Sequence, residues 1–224
     1  MTTTNIDRTE SPGGTADQED GHAASMTLPW WQSPMNLIVL LVATIVLTAG
    51  TGFVVGERNA TPSPNAVDIG YLQDMRAHHE QAVEMSLIYI AKPDAAAILR
   101  TIAKEIAFSQ AVDIGRMIQL LRDSGKAEAN ESGTAMTWMS HALPLDRMPG
   151  LATTRDLESL IASTGAVADR IFVTLMIAHH EGGIPMSDYA AKHAATNEVR
   201  AMAVSASKSE RDETAELRRL LAQN

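Results

Sequence analysis

The sequence predicts an all-α protein: a four-helix bundle made of two duplicated helical hairpins, preceded by one transmembrane helix. Three observations lead there. The stretch "MRAHHEQAVEMS" from Met75 and the stretch "MIAHHEGGIPMS" from Met176 agree at seven of twelve positions, in a constant register of 101 residues. Around both, apolar residues recur at alternating steps of four and three, the spacing of a helix seam. Ahead of both lies an uncharged run of 19 residues, "LIVLLVATIVLTAGTGFVV", from Leu37 to Val55.

Residues 1–34 are rich in Thr, Ser, Gly and acid, with Asp7, Glu10, Asp17, Glu19 and Asp20 against Arg8 alone. Such a segment cannot bury enough apolar surface to offset chain entropy and is expected to be disordered. At ~1.5 Å per residue the apolar run spans roughly the ~30 Å of a bilayer core, so 35–56 is expected to be a membrane anchor. Trp30 and Trp31 stand where an interfacial aromatic belt belongs. A cleaved signal peptide fits less well, because a basic n-region is missing and 36 residues precede the run. Taken literally, the charge rule slightly favours a cytoplasmic C-terminal domain, with Arg8 distant on one side and Arg58 close on the other, but it rests on one charge. Residues 57–65, containing "NATPSPN", read as a flexible linker.

The bundle domain is expected over 66–224, as repeat one (66–124), a connector (125–165) and repeat two (166–223). The first seam is Tyr71, Met75, His78, Ala82, Met85 and Tyr89; the second is Phe172, Met176, His179, Gly183, Met186 and Ala190. The first histidine of each pair lies on its seam, and His79 and His180 lie about 100° round the helix, at its flank. Each motif helix is followed by a break and another helix: Pro93 suits a first helical turn, and Asn197 suits a cap for the last helix. Short connections force antiparallel neighbours, so two hairpins make four helices. The connector carries a short helix from about Thr154 to Thr164, introduced by the capping-box pattern "TTRD".

Composition excludes several functions. There is no cysteine, hence no disulfide or thiolate metal site. Residues 66–224 hold 16 Lys and Arg against 21 Asp and Glu, the wrong sign for a nucleic-acid partner. Glu80 and Glu181 are not followed by a histidine at zincin spacing. The Glu-x-x-His motif of di-iron bundles is missing, since Met75, Arg76, Met176 and Ile177 occupy the positions three before the histidines. No nucleophile elbow or phosphate-cradling loop occurs.

What remains is a metal. Depth estimated from antiparallel pairing groups Met75, His78, Gln110 and Asp113 in one hairpin, and Met176, His179, Glu210 and Glu213 in the other. Thioether sulfur with imidazole and no thiolate favours copper, Cu(I) above all. Met85 and Met186 lie about 10 Å beyond their seam histidines and either fill core or form a second site. Met136, Met139, His141 and Met148 fall in the connector, where core packing is not expected. Against this, methionine on a seam is ordinarily core filler, and the seam acids could hydrogen-bond the histidines as a polar network. A metal-free interaction module and a copper or iron redox enzyme are the competing readings.

At these residues the chain resembles a bacterial family, the domain-of-unknown-function family 305. The resemblance rests on "M-x-x-H-H-x-x-A-V-x-M" from Met75, "IAKEIAFSQAVDIGRMIQLL" from Ile102, "MPGLAT" from Met148 and "FVTLMIAHHEGGIPM" from Phe172. It covers about 66–222 and implies a ferritin-like bundle, exported or membrane-anchored, with some relatives, the CopM type, associated with copper. The metal ligands expected from the paired motifs are Met75, His78, His79, Met85, Met176, His179, His180 and Met186, and the resemblance implies a domain outside the membrane, against the weak charge signal. Pro185 departs from the pattern, removing the bond to the Glu181 carbonyl and weakening Met186 as a ligand relative to Met85.

Overall fold

The computed structural model describes residues 29–60 and 62–222. Most of the acidic tail expected over 1–34 lies outside these. Two compact units divide near residue 57. In the first, helix α1 (Pro34–Ala60) holds the apolar run, and Pro34–Gly56 is long and apolar enough to cross a membrane, with none of it buried. By length and composition a signal sequence passes the same test.

The second unit is mostly helical: α2 (Ala66–Ile90), α3 (Ala97–Asp123), α4 (Thr154–Ala162), α5 (Gly165–His193) and α6 (Asn197–Leu221). Helix α2 packs along α3, α5 packs along α6, and α2 against α5 joins the two pairs. Asn65 and Asp68 start α2 with a reciprocal capping box, as Thr153 and Asp156 start α4. Helix α5 continues through Pro185 to His193.

Residues 101 apart make matching contacts. The buried Asp68 carboxylate accepts from the backbone N–H groups of Ala195 and Thr196 in the α5–α6 turn. Asp169 accepts from the N–H of Ala96 in the α2–α3 turn, and from the Tyr89 hydroxyl. Each pair's first helix thus ties down the other pair's turn. Tyr89 also stacks on Phe172 with centroids 4.3 Å apart, and Tyr71 shares a 3.2 Å hydrogen bond with Ser187.

Two boundaries differ from the sequence reading. Helix α3 begins at Ala97, leaving Pro93 in the turn, because the side chain of Arg100 folds back on the carbonyls of Lys92 and Pro93. The cap of α6 is Thr196, whose hydroxyl accepts from Val199 N–H, because Asp68 holds Thr196 in place.

The connector is also more closely packed than a loop reading suggests. Asp74, fully buried, accepts from Met136 N–H at 2.7 Å, Trp138 Nε1 at 2.8 Å and Asn130 Nδ2 at 2.7 Å. A two-residue ladder joins β1 (Thr134–Ala135) to β2 (Leu143–Pro144). Met136 and Met148 are thereby drawn into the same apolar cluster as Met75, Met117, Met186 and Met202. Met85 and Met176 share a second cluster, towards the other end of α2 and α5. Asp74→Ala strands three buried or half-buried donors. It is expected to cost about 2–3 kcal/mol, read as a lower denaturation midpoint with the helix content of the folded protein retained.

Candidate metal centre

Between the two apolar clusters, α2 and α5 carry His78, His79, His179 and His180, none more than 1% exposed. The rings of His78 and His179 lie against each other with centroids 3.8 Å apart, tilted by 34°. His78 Nε2 lies 3.0 Å from the Pro149 carbonyl, and His179 Nε2 lies 2.8 Å from the His78 carbonyl. A carbonyl only accepts, so this network assigns the proton of both rings to Nε2 and leaves a lone pair on Nδ1. Neither Nδ1 has a hydrogen-bond partner, and the same is true of His79 and His180. Burial pushes His78 down to about 4 and His79 to about 3, and holds His179 well below the ordinary histidine range; the neighbouring imidazoles add to each shift. These rings are neutral near pH 7, the form that ligates metal.

Glu210 reaches this layer from α6, 2% exposed and with neither carboxylate oxygen hydrogen-bonded. Burial first, then the charges of Glu213, Asp113 and Asp188, raise its pKa well above the ordinary value. Ligand atoms of His78, His79 and Glu210 all lie within 4.8 Å of one another. Four-coordinate ligands about 2.1 Å from an ion are about 3.4 Å apart, so small side-chain rotations would close the three on one cation. Two neutral imidazoles and a carboxylate with unspent lone pairs fit such a group.

The other residues singled out from the sequence surround this set unevenly. Met75 precedes His78 and His79 by three and four positions on α2, on the same side of the helix, and is fully buried. His180 Nε2 is 2.7 Å from Glu213 Oε2, an ion-pair distance without hydrogen-bond alignment. Gln110 is buried with its Oε1 unpartnered. Asp113 is partly buried 3.6 Å from Arg116, and its pKa is raised by burial against the pull of that arginine. Met139 is half-buried against the methionine cluster and His141 is exposed.

Segment Met148–Ala152 crosses the layer as a strap. Pro149 supplies the carbonyl that His78 bonds. Gly150, at φ +83°, lies so close to α5 that a Cβ would come 2.5 Å from the Ala178 carbonyl oxygen, and a Cβ at Gly182 would come 2.0 Å from that of Pro149. A Cβ at Gly183 would meet Glu210 Oε1 at 2.6 Å. The repeated motif changes from Gln81–Ala82 to Gly182–Gly183 where strap and carboxylate need room. Gln81 clasps the strap from α2, donating to the Ala152 carbonyl at 2.9 Å and accepting from its N–H at 2.6 Å. Helical periodicity does not mark Gln81, Pro149, Gly150 or Gly182; the Gly-Gly divergence between otherwise similar copies is the signal that could have.

Residues 68–221 match the family model described as Domain of unknown function (DUF305). The chain belongs to this family. A DUF305 protein of Streptomyces coelicolor, described as secreted, is 31% identical, with TM-score 0.65 over 70% of this chain and 93% of that one. A DUF305 fragment from Deinococcus radiodurans is 23% identical, with TM-score 0.63 over 73% and 100%. CopM in a Cu(I)-bound form shares the fold at 20% identity, with TM-score 0.52 over 70% and 96%. CopM is also known in Cu(II)-bound and silver-bound forms. No curated protein matches this chain.

Proposed function

We propose that this DUF305 protein is a membrane-anchored metal-binding protein of the cell envelope, holding copper for buffering or delivery and performing no reaction on it. In this reading α1 is a single-pass anchor, 1–34 is cytoplasmic, and 66–224 is an extracytoplasmic ferritin-like four-helix bundle that arose by duplication of a hairpin. The observation that carries it is the buried group of His78, His79 and Glu210 with ligand atoms unspent. Met75 supplies a thioether beside it, and His179, His180, Met85, Met176 and Met186 extend the donor set along α5 and α2. The copper-bound forms of CopM support the choice of metal, and the secreted relative supports export.

The bonds from His78 and His179 to backbone carbonyls favour the competing reading, a metal-free polar layer that specifies packing. Titrating the full-length protein in detergent with Cu(I), Cu(II) and Zn(II) separates the two: copper is expected to bind stoichiometrically and ahead of zinc. Glu210→Gln sharpens the distinction. Burial raises the Glu210 carboxyl well above its ordinary pKa, so near pH 7 its ionisation in the unfolded chain opposes folding, and the variant, whose amide does not ionise, is expected to gain metal-free stability while losing copper affinity. A purely structural layer predicts no effect of copper on either protein. For topology, cysteines placed singly in the tail and in 126–134 are expected to react with an impermeant reagent on intact cells only at the second position; labelling of the tail alone reverses the orientation.

A further inference from the structure

We infer that Gln81 and the strap Met148–Ala152 are positioning elements of the metal centre: by holding the Pro149 carbonyl against His78 Nε2, they fix the His78 tautomer that turns its Nδ1 lone pair to the ion. This deepens the copper reading and rests on it. A metal-ligating imidazole commonly donates its other N–H to a carbonyl or carboxylate, which fixes tautomer and ring orientation. Here that acceptor comes from the connector, 71 residues along the chain from His78.

The strap is held in place from two sides. Against α5, Gly150 of the strap and Gly182 of the helix let the two backbones approach where a Cβ at either position would collide with the facing main chain. On α2, the Gln81 amide makes a two-point clasp with Ala152, one hydrogen bond in each direction. Gln81 is three residues from His78 on the same helix, so clasp and ligand share one rigid element. Its counterpart in the second repeat is Gly182, which has no side chain to clasp anything. The same strap carries the buried Met148 into the cluster that contains Met75.

The test uses the full-length protein in detergent with imidazole nitrogen-15 labelling, Cu(I) as the probe, and a graded series at Gln81. Gln81→Glu keeps the acceptor for Ala152 N–H and loses the donor; Gln81→Met keeps the length and loses both. The metal-free wild type is expected to show His78 as the Nε2–H tautomer alone. Gln81→Met is expected to show mixed tautomers and a Cu(I) affinity lower by about 10–100-fold, with Gln81→Glu between them and an unchanged stoichiometry. Circular dichroism identical to wild type keeps folding out of the comparison, and amide exchange at Ala152 should quicken in the same order. An unchanged His78 tautomer in Gln81→Met, or an unchanged Cu(I) affinity, overturns the strap's role while leaving the copper reading intact. A wild type that shows the expected tautomer but binds no Cu(I) overturns the copper reading and this inference with it.

Discussion

His78→Ala combined with His79→Ala is expected to abolish copper-dependent stabilisation of the protein. A ligand present at 100 times its dissociation constant adds about 2.7 kcal/mol to the native state, and two of the three grouped ligand side chains are lost in this variant. The effect is read as the difference between denaturation curves with and without Cu(I), so any loss of packing from the truncations cancels within each protein. His179→Ala gives the control. Its ring lies tilted against that of His78 and its Nε2 bonds the His78 carbonyl, so the substitution should weaken copper binding by loosening His78 rather than eliminate it. If copper stabilises the His78/His79 double variant as much as wild type, the centre is not where these side chains meet.

This differs from the pairing that the sequence suggests, and the reason is geometric. Periodicity along one helix locates a seam, which is why Met75, His78 and Met85 are legible as inward-facing. It places His79 at the flank because it assumes one neighbour. Helix α2 in fact has α3, α5, α4 and the connector around it, so a wider arc is buried and His79 is 1% exposed. Depth counted back from a turn can align residues only within one hairpin, and so matches Glu210 with His179. In the folded chain α2 lies against α5, and the Glu210 carboxylate passes over Gly183 to reach the histidines of the other pair. The connector methionines illustrate a second limit. Whether "AMTWM" is a loop or part of the core depends on Asp74, whose hydrogen bonds to Met136 and Trp138 hold it down from a helix more than 60 residues away, and no local pattern records such a bond.

Acid is expected to destabilise the metal-free protein well before its carboxylates account for it. The folded pKa values of His78, near 4, and His79, near 3, lie below the ordinary 6.5, and that of His179 lies well below it. Between pH 6.5 and 4.5 the unfolded chain therefore takes up protons at three imidazoles that the folded chain leaves neutral, and stability falls as pH falls. Glu210 works in the opposite direction. Its folded pKa is raised well above the ordinary carboxyl value of 4.5, so the stability it contributes is present at low pH and is lost as pH rises. Asp113 shifts the same way. Three imidazoles against these two carboxyls leave a net uptake of at least about one proton on unfolding over most of the window. At about 1.4 kcal/mol per proton per pH unit, the expected loss is about 3 kcal/mol over the two units. Denaturant titrations in a copper chelator at pH 6.5, 5.5 and 4.5 measure it directly. In Glu210→Gln the opposing carboxyl is gone, so the same acid loss should be steeper. A stability that is flat or rises on acidification through this window contradicts neutral, buried imidazoles at His78, His79 and His179, and with them the availability of those three nitrogen lone pairs in the layer between α2 and α5.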